Sequence, residues 1–161
     1  MKELDFKVIK DEKTFLENYD LSDRAATMGD ALLRKNGLEP LPFGEDRRNE
    51  RVWEAGKDRP DRKILKNGRE IALLDWKGKS KDYWMINERA YNGYVGWSIQ
   101  LHLPVYIAIW SFESHQGRYI KLPVAPLSKT TEWDGNIVVV FDAKTMRPWD
   151  ELPAELSRLD N

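Results

Sequence analysis

No cysteine occurs among the 161 residues, which excludes disulfides, thiolate zinc sites and thiol nucleophiles and leaves no sign of an oxidising compartment. Histidine is scarce as well. His102 and His115 are the two present, and their separation is not a metal-ligand spacing; the dipole of a helix end suits the first, a polar turn the second. Long apolar runs are also missing: Leu103 to Trp110 is far short of the ~18 residues a membrane span needs. The charged start, Met1-Lys-Glu-Leu-Asp-Phe-Lys, holds no apolar signal core. A soluble, cytoplasmic protein without a membrane partner is expected. Glycine-rich phosphate loops are lacking too, since Gly93 and Gly96 fall inside an amphipathic helical stretch, where close packing is their expected role. Gly96-Trp-Ser98 has no following glycine and lies mid-helix, so it is no serine-hydrolase elbow.

What is abundant is aromatic and charged. Seven Trp, six Tyr and five Phe argue against disorder, the length fits one domain, and 33% charged residues exceed the usual ~25%. The formal net charge of -1 conceals an uneven distribution. Residues 57–89 carry ten positive and six negative charges, a net of +4, whereas each of the other stretches (1–22, 23–56 and 90–161) is net negative. Within residues 62–81 of that block, Arg62, Lys63, Lys66, Arg69, Lys77, Lys79 and Lys81 are set against only Glu70 and Asp75. By itself this pattern fits a solvated hairpin equally well.

Thr14-Phe-Leu-Glu17 has a capping pattern for a short N-terminal helix. Ser22 or Asp23 can cap a second helix with Ala25, Ala26, Met28, Leu32 and Leu33 on one side, stopped by Asn36-Gly37. Leu38 to Phe43 contains two prolines and is at best an edge strand. A charged loop follows, with a short strand near Arg51-Val-Trp53. Asn67-Gly68, set between Lys63-Ile-Leu-Lys66 and Arg69 to Trp76, is the strongest short-range hairpin signal. The periodicity then predicts a helix from about Asp82 to His102, its face formed by Ile86, Ala90, Gly93, Tyr94, Trp97 and Leu101. Val105 to Trp110 is an apolar, β-branched run that fits a strand buried on both sides. Arg118–Leu122 and Asn136–Phe141 are further strands, and a short helix runs from Trp149 to Leu159. The order implies an α/β domain over residues 1–161, with a central mixed sheet flanked by helices and the buried strand beside the hairpin's second strand.

Inside the basic block, Pro60-Asp61 precedes the hairpin and Asp75-Trp76-Lys77 closes it. With a two-residue Asn67-Gly68 loop, opposite partners have numbers summing to 135 and Asp61 falls on the other side of the sheet from Asp75. With a three-residue loop and a bulge the sum is 134, Asp61 faces Leu73, and the two carboxylates become diagonal neighbours on one face, roughly 7–8 Å apart. Two such acids suit Mg²⁺, which binds one or two carboxylates and fills its remaining positions with water and phosphate oxygens. A lysine beside that ion can assist the attacking water and neutralise charge on phosphate. Such a site hydrolyses phosphodiesters. The alternative is a polar strand end, but a carboxylate directly after Ile71-Ala-Leu-Leu74 is costly unless it is paired or metal-bound.

At Pro60-Asp61 and Asp75-Trp76-Lys77 the chain resembles the PD-(D/E)XK nuclease superfamily, which includes restriction enzymes and archaeal Holliday-junction resolvases. The likeness covers about residues 23–110, with strands and a short helix of 111–161 beyond it, and implies a restriction-endonuclease-like core. It further implies that Asp61 and Asp75 are metal ligands with the Trp76 carbonyl, and that Lys77 is the catalytic lysine. Asp30 would be an added acid from the first helix; by the 100° step it lies about 140° from Ala25, where it can face either the sheet or solvent. Tyr91 or Gln100 would support the site from the second helix. Arg62, Lys63, Lys79, Lys81 and Arg89 would touch phosphates, while Trp84, with Tyr83, would stack on bases. The expected function is that of a Mg²⁺-dependent endonuclease acting on DNA in repair, recombination or restriction, with Mn²⁺ substituting and a homodimer permitted. The alternatives are a catalytically inactive binding or assembly module of the same fold, or an RNA-directed nuclease.

Overall fold

In a computed structural model that describes residues 20–43, 58–132 and 135–159, the hairpin lies at the centre of the molecule. Asn67 and Gly68 adopt φ of 53° and 77°, as a primed two-residue turn requires. Strands β2 (Arg62–Lys66) and β3 (Arg69–Lys79) run from it. Strand β1 (Glu39–Pro42) pairs with β2 at the sheet edge, the position its two prolines dictate. On its other side β3 pairs in parallel with β5 (Val105–Ser111), which is followed outward by β6 (Gln116–Leu122) and β9 (Arg147–Pro148), both antiparallel. The six-stranded sheet is therefore mixed, with β3 and β5 central. The helix expected near Thr14 and the strand expected near Trp53 lie outside the described residues.

Helix α1 (20–35) ends at Asn36-Gly37, where Gly37 takes φ of 80° and Leu38 N–H reaches the Leu33 carbonyl at 3.0 Å. It is already helical at residue 20, so Ser22 is no cap. Instead Ser22 Oγ accepts the Gly78 N–H at 3.2 Å. Ala25 and Leu33 of α1 pack with Trp76, Tyr106, Leu152 and Leu156 on one face of the sheet. The opposite face is covered by α2 (Glu88–Leu101), whose Ala90 and Tyr94 pack with Leu73, Ile107 and Ile109.

A second sheet was not expected. It has the order β4 (Met85–Asn87), β8 (Asn136–Val140), β7 (Ser128–Glu132). Residues 85–87 read as helix by periodicity, yet Ile86 pairs opposite Val139 and both are buried. Strand pairing thus overrides the local helical phase, and α2 begins at Glu88 rather than near Asp82. The chain closes with a 3₁₀ turn (Trp149–Glu151) and α3 (Leu152–Ser157).

Candidate active site

Neither register foreseen for the hairpin is the whole of the observed one. Lys66 pairs with Arg69 and Leu65 with Glu70, as a two-residue loop demands, and a bulge between Ile64 and Leu65 then shifts the register, so that Lys63 meets Leu73 and Arg62 meets Leu74. Continued by one residue, that register sets Asp61 opposite Asp75, not diagonal to it. The extra residue lies in β3 and not in the loop; an apolar run carries no residue-level mark of where a bulge falls. The two acids are brought together by this shift, and their carboxylates cross-connect the strands. Asp75 Oδ1 accepts the Asp61 N–H at 3.0 Å, and Asp61 Oδ2 accepts the Trp76 N–H at 3.2 Å.

Main-chain direction makes this edge open. Leu73 N–H reaches the Pro104 carbonyl and Phe112 N–H reaches the Lys79 carbonyl, so odd-numbered residues of β3 direct their peptide groups toward β5. Even-numbered residues direct theirs the other way, Trp76 N–H to Asp61 and Gly78 N–H to Ser22. Both peptide groups of a strand residue point to one side, so the Trp76 carbonyl shares the edge on which Asp61 stands.

Asp75 is 1% exposed. Its Oδ2 takes no properly directed hydrogen bond, and Lys77 Nζ stands 3.1 Å away as its ion-pair partner. Burial works most strongly against the Lys77 charge, but Asp75, Tyr94 and Asp61 together outweigh it and hold the ammonium well above the ordinary lysine range. Burial, with the Asp75 charge next, pushes the Asp61 carboxyl above the usual carboxylate range. Tyr94 stands beside them, buried, with its ring centre 5.9 Å from Lys77 Nζ. Tyr94 is the residue that sequence reasoning missed. Its place on the apolar stripe marked it as core, but that stripe is the face α2 turns toward β3. Tyr91, expected to support the site, instead holds Val124, donating to its carbonyl at 2.9 Å and accepting its N–H at 3.0 Å. Gln100 is exposed near the far end of α2.

Asp30 does turn inward, at 7% exposure, but it serves the other side of the sheet. It accepts the Trp76 indole N–H at 2.8 Å and pairs with Arg62 at 3.1 Å. Among the described residues, no group of three or more acidic or histidine side chains is placed to hold a metal. Arg62, expected on phosphate, is thus engaged by Asp30. Lys63 pairs with Glu70 at 3.3 Å, and Arg89 lies 3.4 Å from the buried Asp58, against whose backbone Gly93 packs. Trp84 is half-buried under Arg118, 5.5 Å from the guanidinium, rather than open for stacking. Lys79 follows Asp75 and Lys77 on the same face of β3. Burial and then Lys77 push it down to about 8. Lys81 is exposed just beyond.

Neither a protein-family model nor a curated protein matches the chain. Among solved structures it is similar to Hjc, a Holliday junction resolvase from the archaeal hyperthermophile Archaeoglobus fulgidus, at 15% identity and a TM-score of 0.55 over 81% of this chain and 98% of that one. The fold is restriction-endonuclease-like. At such low identity the likeness is one of architecture, and within the restriction-endonuclease-like fold the acid pair and Lys77 lie at the open end of the central hairpin. No helix among the described residues is long and apolar enough to cross a membrane.

Proposed function

We propose that the protein is a metal-dependent endonuclease that hydrolyses phosphodiester bonds in DNA, with Mg²⁺ the natural ion and Mn²⁺ a substitute. The observation that carries this is Asp75. A carboxylate 1% exposed, with an ammonium 3.1 Å from one oxygen and a second carboxylate opposite it, is costly for a fold to keep. The same arrangement fits a divalent cation, because two hard oxygen donors and the Trp76 carbonyl share one edge. Asp61, Asp75 and that carbonyl would hold the ion. When bound, it supplies the positive charge that polarises a phosphoryl oxygen and makes water more acidic. Lys77, kept as an ammonium by Asp75, orients the attacking water and offsets the charge growing on phosphate. Lys79 and Lys81 extend this charge away from the acids and steer the DNA backbone toward them. DNA as the substrate is supported by the likeness to Hjc.

One observation favours a second reading, a non-catalytic binding or assembly module. Each carboxylate already accepts a main-chain N–H across the strands, and no third acid joins them among the described residues. Incubation with linear, four-way-branched and single-stranded DNA, and with RNA, in Mg²⁺ or Mn²⁺ separates the two readings. Ion-dependent DNA cleavage that disappears in Asp75→Asn while DNA binding persists is the expected result. Binding without cleavage of any substrate would establish the module, and cleavage of RNA alone would redirect the assignment.

A further inference from the structure

The α1 side of β3 holds a closed ring of hydrogen bonds to which the proposed chemistry assigns no role. Asp30 receives Arg62 Nε at 3.3 and 3.1 Å on its two oxygens and Arg62 Nη2 at 3.1 Å. Its Oδ1 also accepts the Trp76 indole at 2.8 Å. The remaining arm of the same guanidinium, Nη1, donates to the Asp61 carbonyl at 3.1 Å, which also accepts the Phe43 N–H at 2.9 Å. The Asp61 carboxylate takes the Trp76 N–H, and the circuit from Asp30 through Arg62, Asp61 and Trp76 returns to Asp30. Gly29 makes the approach feasible, since a Cβ there would lie 2.4 Å from the Trp76 ring.

Asp61 needs such a holder. It precedes β2, where the β1–β2 pairing has thinned to the single Phe43 N–H bond, and it faces a second carboxylate across the hairpin. A planar guanidinium can grip a carboxylate and a carbonyl together, which a lysine ammonium does less well. We infer that Asp30 and Arg62 are positioning residues: from the far face of the sheet they fix the Asp61 main chain and the Trp76 edge, and they bind neither metal nor phosphate. This rests on the reading of Asp61 and Asp75 as ion ligands. It also gives a different role to the two residues expected, from the resemblance, to be an added acid and a phosphate contact.

Two measurements test it, Mn²⁺ uptake followed by electron paramagnetic resonance and hydrogen exchange of the Trp76 indole N–H by NMR, assigned with Trp76→Phe. The proteins compared are wild type, Asp30→Asn, Arg62→Lys, Arg62→Ala, Asp30→Asn/Arg62→Lys and Asp61→Asn. The Arg62 variants and Asp30→Asn should each weaken Mn²⁺ binding roughly 10-fold without changing its stoichiometry, the size typical of outer-shell partners. Asp61→Asn should abolish uptake. The double variant should be no worse than either single, because one circuit is broken once. Indole exchange should accelerate at least about 10-fold in both Arg62 variants, with Arg62→Lys serving if Arg62→Ala does not fold. Loss of ion uptake in Asp30→Asn with normal uptake in Arg62→Lys would make Asp30 a ligand and overturn the inference. Unchanged indole exchange in Arg62→Lys would also overturn it, whether or not the wild type binds an ion. A wild type that takes up no Mn²⁺ defeats the functional reading alone, and accelerated exchange would then still support the ring as the device that holds Asp61.

Discussion

Asp30 and Asp75 are both buried, at 7% and 1% exposure, and they lie against opposite faces of the same central strand, yet their surroundings differ in kind. Asp30 receives a bidentate guanidinium and an indole N–H, so both of its oxygens are satisfied by well-placed donors. Asp75 has one main-chain donor, an ammonium contact at 3.1 Å and a second carboxylate opposite it. The first arrangement is the one that stability alone calls for, because a buried acid facing another acid keeps a repulsion that better-placed donors would remove. The proposed function accounts for the second kind beside the first: the acids on the α2 side would meet a cation, while the pair on the α1 side is satisfied within the protein and holds Asp61 in place.

The largest expected consequence separates the two sides by what fails. Lys77→Ala should lower ion-dependent cleavage by roughly 10²–10³-fold, the usual cost of removing one group that stabilises charge developing at the reacting centre, with DNA binding at low salt nearly kept. Arg62→Ala acts on the other side and should fail as a stability variant, losing about 3 kcal/mol in urea denaturation because Asp30 is left buried without its cation. Lys77→Ala also leaves a buried acid, Asp75, without its cation and should lose stability as well; the faces are told apart by Arg62→Ala, and if that variant unfolds like wild type the division of labour between them is wrong.

A smaller effect exposes the strain on the α2 side directly. The Asp61 carboxyl is raised by burial and by Asp75, so between the ordinary carboxylate value and its own the folded protein holds a proton that the unfolded chain has released. Stability without metal therefore falls as pH climbs through that window and stays low above it. Asp61→Asn cannot ionise and keeps an oxygen for the Trp76 N–H. It should be more stable than wild type at pH 8 by about 1–2 kcal/mol, with the difference vanishing toward pH 4. Urea curves at pH 4, 6 and 8 check this, and a variant that is less stable at pH 8 would contradict the assignment of strain. Added Mg²⁺ should close the gap, since it stabilises only the protein that binds it.

The hairpin, its parallel neighbour and the helix between them were legible because each signal is local: Asn67-Gly68 makes the turn, Val105 to Trp110 is an unbroken apolar strand, and Pro104 ends the helix before it. The acid pair was legible through position, as charge placed directly after Ile71 to Leu74 has few cheap explanations. What escaped depends on distant partners. The bulge in β3 is set by packing on two sides, β4 by pairing with residues some fifty positions later, and the fate of Arg62 by a carboxylate 32 positions earlier. Tyr94 escaped for a related reason, since the same helical phase describes a core residue and one lining a buried site.

The basic residues give the finest separation of all. Lys81 is exposed beyond the end of β3, whereas Lys63 is held by Glu70 at 3.3 Å and lies 5.1 Å from the Phe43 ring centre. An unneutralised lysine that meets a phosphate releases a condensed counterion, while one already paired with a carboxylate exchanges one partner for another and releases less. Lys81→Ala should therefore weaken DNA binding about 2–3-fold at low salt and lower the slope of log affinity against log salt by roughly one, and Lys63→Ala should do less in both respects. Equal effects would mean that Glu70 gives up Lys63 when DNA arrives. In that case the backbone runs along the hairpin, toward β2, instead of outward from Lys77 past Lys79, and the salt slopes of the two variants decide between those paths.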